Sequence, residues 1–287
     1  MNAVLERLLQ ARAVALVIPP VRRGGGRTAG AEGIGLARGL SFPRPQPRRP
    51  PAEFEWRFKT KKEKGDRDEA EKAGVEQEGL VLLKKYTPKE FYAQSVGVSL
   101  SDYVCLYNDP ANEFDRHYRF SRSRNIVGEP DMHFANVRIE TMKEVGVKSI
   151  LANEPLWFAV NMGVDQSRQH GLMELGLYDY ETLFGIDLQV GKADRTRFHA
   201  GASNHAMALM GVDLADGRPR KWLVENSWGE DKGSKGTWTL YDRWFDEHVY
   251  TIIAHKRHIP AETLAIFDQD PEALPAWYPG AQGIPGK

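Results

Sequence analysis

The chain has 287 residues, 39 basic and 39 acidic side chains, 41% hydrophobic residues and one cysteine. That length supports one large domain or two ordinary ones with a real core. Zero net charge gives no whole-chain attraction to nucleic acid, and a single thiol excludes a disulfide scaffold or a thiolate zinc cluster built within one chain. No apolar run approaches the ~18 residues of a membrane span, and the absence of disulfides suits a reducing, cytoplasmic compartment.

The neutral total divides unevenly. Residues 1–50 hold nine arginines against two glutamates, a net +7, so the remaining residues carry −7. Gly24-Gly25-Gly26 and the Pro/Arg stretch from Pro43 to Pro51 show no apolar periodicity, so residues 1–52 are expected to be a disordered tail outside the folded domain of 53–287. Its composition is that of a targeting peptide, but the apolar run Ala13 to Ile18 is too short for a secretory signal. An arginine tail could touch nucleic acid, yet no aromatics are interleaved for base stacking.

Phe54 to Phe58 alternates like a half-buried strand, and the charged stretch from Lys59 to Glu78 reads as a solvated loop or exposed helix. Thr87-Pro88-Lys89-Glu90 is a helix start, with a hydroxyl cap, proline at the first position and an acid in the first turn; Gly97 ends it. Asp102 to Asn108, which contains Cys105, alternates like a strand. A second helix begins near Asn136, places Ile139, Met142, Val145 and Ile150 on one face, and stops at Asn153-Glu154-Pro155.

Strands follow at Leu156 to Met162, Ala206 to Val212, Trp222 to Glu225, Trp238 to Tyr241 and Val249 to Ala254, with Asp216-Gly217 and Lys235-Gly236 between some of them. Tyr178 to Phe184 reads as a short helix lying across the sheet, stopped by Gly185. Helices followed by an antiparallel meander make an α+β fold.

A hairpin turn centred between Ala215 and Asp216 gives facing residues an index sum of 431, which sets His205 opposite Asn226, or within one step of it. An amide oxygen on one ring nitrogen would fix the tautomer and leave the other nitrogen as a base. The spacing alone favours the plainer reading, a buried histidine satisfied by an amide.

The surrounding residues narrow the reading. Asn204-His205-Ala206-Met207-Ala208 and Glu225-Asn226-Ser227-Trp228-Gly229 resemble the histidine and asparagine motifs of papain-like cysteine peptidases. Thr87 to Val98, Leu177 to Asp187, Lys192 to Arg195, Trp244 to Tyr250 and Ile259 to Trp277 are similar to the bleomycin hydrolase family, called aminopeptidase C in bacteria. The resemblance implies a papain-like fold, cysteine-dependent removal of N-terminal residues from peptides, no cofactor, and a homohexamer with enclosed active sites. It also implies His205 as the base, Asn226 as its orienting partner and Trp228 as the shield of their hydrogen bond.

In that family the nucleophile follows a glutamine in an N-terminal Cys-Trp segment that this sequence does not contain. Cys105, in its strand-like stretch, has neither a preceding glutamine nor a helix start, and is expected to be structural. The chain therefore reads as a C-terminal portion that is inactive alone, with a non-catalytic oligomerising subunit or a truncated gene product as alternatives. Missing core elements should leave apolar surface exposed. The family's Asp-Pro-Met start to the tail is absent after Trp277, which weakens the case for strict exopeptidase action.

Three smaller patterns carry bland readings. His255 and His258 lack a third metal ligand nearby. Gly229 to Gly236 lacks phosphate-loop spacing and reads as a turn between strands. Glu174, Asp179 and Glu181 read as a solvated face.

Overall fold

The computed structural model describes residues 53–59, 81–124 and 128–281. The tail expected over 1–52 and, apart from Lys59 at the end of a strand, the charged stretch expected over 59–78 lie outside the described residues.

Two units are described separately. In the smaller, β1 (Phe54–Lys59) and β2 (Val81–Tyr86) pair antiparallel with Phe54 opposite Tyr86. Helix α1 (Pro88–Phe91) opens with a reciprocal capping box: Glu90 N–H donates to Thr87 Oγ1 at 3.3 Å, and Thr87 N–H donates to Glu90 Oε2 at 2.8 Å. The chain continues as a π-helical turn, Tyr92–Val96, and leaves it through Gly97 at φ 60, a conformation that favours glycine. The rings of Phe54 and Tyr86 meet the edge of Phe91 at 5.3 and 5.4 Å.

The larger unit is built on β3 (Tyr103–Tyr107), β4 (Arg116–Phe120), β5 (His133–Asn136), β6 (Leu156–Val160), β7 (Gln166–Ser167), β8 (Leu172–Met173), β9 (His205–Ala215), β10 (Arg218–Glu225), β11 (Thr237–Tyr241), β12 (Val249–His255) and β13 (Glu272–Leu274). Their order in one sheet is β13-β4-β5-β3-β12-β6-β9-β10-β11-β8-β7. The central strands run antiparallel as expected, whereas β3 with β5, β4 with β13 and β8 with β11 are parallel, so the sheet is mixed.

Helix α2 (Ile139–Leu151) buries Met142, Val145, Gly146 and Ser149, and packs against β6, β9 and β12. Helix α5 (Asp242–His248; α3 and α4 precede it and are given below) sends Trp244 and Phe245 into the same core as Phe158, Leu209, Trp222 and Trp238. Fully burying one such side chain contributes about 1.5–3 kcal/mol. Trp222 stacks on Phe245 at 5.0 Å and donates its indole N–H to Asp242 Oδ1 at 3.1 Å, so the one buried polar atom of its ring is paired.

Helix α3 (Tyr180–Phe184) forms with Asp179 as its cap and Gly185, at φ 69, as its stop. It does not lie across the sheet as expected: Leu183 and Phe184 are 71% and 61% exposed, and residues 178–190 are exposed throughout. The next helix, α4 (Lys192–Arg197), is anchored by two cations at the last turn of α5. Lys192 Nζ, buried, donates to Asn108 Oδ1 at 2.6 Å, Val249 O at 2.6 Å and Asp246 O at 3.2 Å, while Arg195 reaches Glu247 O at 2.7 Å. Cations at a helix C-terminus satisfy carbonyls that lack partners within the helix. Burial lowers the Lys192 pKa to about 7, against the opposing pull of Glu247 and Asp109. No helix among the described residues is long and apolar enough to cross a membrane.

Two stability predictions follow from this packing. Replacing Lys192 by Met orphans three oxygens and should cost about 3 kcal/mol in urea unfolding. His248 is buried against Trp244 at 4.6 Å; burial first, and then the charges of Arg195 and Lys192, push its pKa down to about 3. The unfolded residue takes up its proton near pH 6.5, so the fold loses about 1.4 kcal/mol per pH unit from this group as pH falls below 6.5. Urea midpoints at pH 7.5 and pH 5 should therefore differ, and His248→Gln should flatten the difference.

Candidate active site

The β9–β10 hairpin turns at Asp216-Gly217, with φ of 50 and 75, the pair of positive values that a two-residue type I′ turn requires. Ala215 faces Arg218, so the index sum is 433 and not the expected 431. Two β-bulges follow, one adding Arg220 to β10 and one adding Met210 to β9, and they cancel: Ala208 faces Glu225, again a sum of 433. The error is one of turn placement, since the turn occupies Asp216 and Gly217 themselves.

A shift of two residues keeps every side chain on its face. Extended past the last pair, Ala208 with Glu225, the same sum would set His205 level with Trp228 and leave Asn226 a diagonal step away, within side-chain reach. The rings of His205 and Trp228 lie 4.8 Å apart at 34°, and His205 Nε2 is 3.0 Å from Asn226 Oδ1.

Asn226, directly after β10, is buried, and its backbone N–H donates to Gly236 O at 3.0 Å. Its Oδ1 also accepts the Ser227 N–H at 2.8 Å, which fixes that atom as the oxygen and forces His205 Nε2 to be the donor. Nδ1 of the half-buried His205 is left with its lone pair, the state that a base needs. Asn226 Nδ2 is buried without a hydrogen-bond partner among the described residues. Such a group costs about 1–3 kcal/mol, the cost here of aiming Oδ1 at the imidazole.

Asn204, quoted within the motif but given no separate role in the sequence reading, holds the histidine's backbone. Its N–H donates to Val160 O at 2.9 Å, its Oδ1 accepts Met162 N–H at 2.7 Å, and its Nδ2 donates to Met162 O at 3.1 Å. These bonds stitch the chain entering β9 to the chain leaving β6, where His205 faces Val160. An amide directly before a candidate base was the available signal.

Cys105 lies on β3, opposite Ile253 of β12. In the sheet β3, β12, β6 and β9 are successive neighbours, so three strand spacings, about 14 Å, separate it from the strand of His205. The thiol is buried, and burial pushes its pKa up to about 12, so it stays protonated and packs as a small apolar group.

The remaining candidates fall elsewhere. His258 Nε2 pairs with Glu154 at 2.7 Å and His255 Nδ1 accepts the Arg257 N–H at 3.1 Å. Gly229 to Gly236 is a loop between β10 and β11. Glu174 precedes the exposed stretch in which Asp179 caps α3.

Residues 48–281 match the profile of the Peptidase C1-like family. The chain is 37% identical over 199 residues to aminopeptidase C of Streptococcus thermophilus, covering 68% of this chain and 45% of that protein. It is 35% identical over 238 residues to bleomycin hydrolase of Homo sapiens, covering 80% of this chain and 49% of that protein. Among solved structures, PepW from Lactobacillus rhamnosis HN001 superposes with a TM-score of 0.70 at 31% identity, over 81% of this chain and 50% of that one. The chain thus spans about half the length of the relatives it matches, and by sequence profile and papain-like fold it belongs to the Peptidase C1-like family.

Proposed function

We propose that this chain supplies the base and its orienting amide to a cysteine aminopeptidase of the aminopeptidase C and bleomycin hydrolase type. The observation that carries this reading is the His205 Nε2–H to Asn226 Oδ1 bond under Trp228, which presets Nδ1 as the proton acceptor. His205 Nδ1 takes the proton of a cysteine thiol, the thiolate attacks the carbonyl carbon of the peptide's first bond, and the imidazolium then protonates the departing amine. Water, deprotonated by the same histidine, releases the acyl group and regenerates the thiol. Asn226 holds the ring, and no cofactor is needed.

The thiol in this scheme is not Cys105, whose burial and pKa of about 12 oppose it. The chain alone is therefore inactive in this proposal, and residues 53–287 act as a partial peptidase domain that works with nucleophile-bearing polypeptide, with 1–52 a tail outside it. The cytoplasm is the matching compartment, peptides the substrates, and a homohexamer of the family type the assembly. A second reading, a non-catalytic oligomerising subunit, is favoured by one observation: the exposed apolar run Leu183, Phe184, Ile186, Leu188 and Val190.

The test is complementation. Co-expressing this chain with the part of S. thermophilus aminopeptidase C outside the matched region should restore thiol-dependent release of N-terminal residues. His205→Ala should lower that release by about 10³-fold, and Cys105→Ser should leave it unchanged. Complexes that form stably without any hydrolysis would favour the non-catalytic subunit. In the chain alone, Asn226→Ala should weaken the preference for the Nε2–H tautomer to that of a free imidazole side chain, read from the ¹⁵N shifts of the His205 ring.

A further inference from the structure

Trp228 sits on a loop, and the loop is held from one side by a segment to which nothing so far assigns a role. Arg168 lies in the turn between β7 and β8 and is exposed. Its guanidinium carbon stands 4.9 Å from the Trp228 ring centroid, within cation–π range, and no carboxylate among the described residues pairs with it.

The backbone fixes this placement. Gly233 N–H donates to Arg168 O at 3.3 Å, Thr239 N–H donates to Gly171 O at 2.7 Å, and β8 pairs with β11. Gly171 and Gly233 both have φ of 62, and a Cβ on Gly171 would lie 2.6 Å from Gly233 Cα. Two glycines therefore let the turn carrying Arg168 close onto the loop carrying Trp228. Trp238 meets the same indole edge-on at 5.4 Å, and His205 lies against it at 4.8 Å.

We propose that Arg168 is a positioning residue: its guanidinium, stacked on Trp228, holds the indole against His205 and so keeps water from the His205–Asn226 hydrogen bond. Aliphatic packing alone would do this less well, because the ring quadrupole attracts a cation and leaves the free guanidinium edge solvated. The inference rests on the histidine–asparagine bond and not on turnover, so a completed enzyme that cleaves nothing would leave it standing.

The test reads solvent exchange of the His205 Nε2–H proton in the full 287-residue chain labelled with ¹⁵N-histidine, with the resonance assigned by its loss in His205→Ala. Arg168→Met should speed exchange about fivefold, Arg168→Lys should stay within about twofold of the wild-type rate because it keeps a cation, and Trp228→Ala should be at least as fast as Arg168→Met. The double variant Arg168→Met/Trp228→Ala should be no faster than Trp228→Ala, since Arg168 acts through the indole. A wild-type rate in Arg168→Met, equal rates in the Met and Lys variants, or additive effects in the double variant would each overturn the proposal.

Discussion

The site depends on one shared oxygen. Asn226 Oδ1 receives both the Ser227 backbone N–H and the His205 ring N–H, and the first of these bonds determines what the second can be. An amide side chain free to rotate could offer either its oxygen or its nitrogen to an imidazole. Here the main chain next to it selects the oxygen, the oxygen selects the tautomer, and the tautomer leaves Nδ1 able to accept a proton. The orphaned Nδ2 of the same side chain is the consequence: once the oxygen is committed, the buried nitrogen points where no described acceptor lies.

That oxygen stays in place because each strand is fixed at the end that matters. Asn204 ties the start of β9 to the end of β6, and the Asn226 N–H ties the end of β10 to Gly236. Farther back, α4 is locked to the last turn of α5 through Lys192 and Arg195, a few residues before the chain reaches Asn204. A buried ammonium beside three oxygens is costly to desolvate and costly to lose, so it favours one docking of α4 over others. His205 opens β9 and Asn226 directly follows β10, so both polar side chains sit at strand ends, while the indole that covers them rides farther out on the loop.

Much of this was legible in the sequence because its signals are local. The Thr87 capping box, the α2 stripe of Met142 and Val145, and the Asp216-Gly217 turn each depend on neighbours within a few positions. The register of β9 on β10 was placed two residues off, yet the meeting of His205 with Asn226 was anticipated, because strand faces repeat with period two and the two bulges compensate. Short strands such as β7, β8 and β13 were not legible, since two or three residues cannot show alternation and their pairing is decided by distant partners. Nor was Arg168, whose contact with Trp228 spans two loops joined by glycine-to-glycine packing.

The α3 segment shows the reverse case, in which local signals were read correctly and their tertiary meaning was not. Asp179 caps the helix and Gly185 ends it, so the element forms where propensity places it. Its apolar residues suggested a face packed on the sheet, but Tyr180 stacks on Phe184 along the helix itself and Leu183 stays exposed. A run of Leu183, Phe184, Ile186, Leu188 and Val190 is more apolar surface than a free-standing domain keeps exposed at no cost. Asp179 and Glu181 precede it and Asp187 interrupts it, so the segment sets negative charge beside its apolar side chains. Since α4 immediately follows and is pinned by its buried lysine, this apolar run ends on a fixed anchor. A segment tied down at one end has already lost part of the conformational entropy that a free one would keep, so its apolar side chains are displayed over fewer conformations.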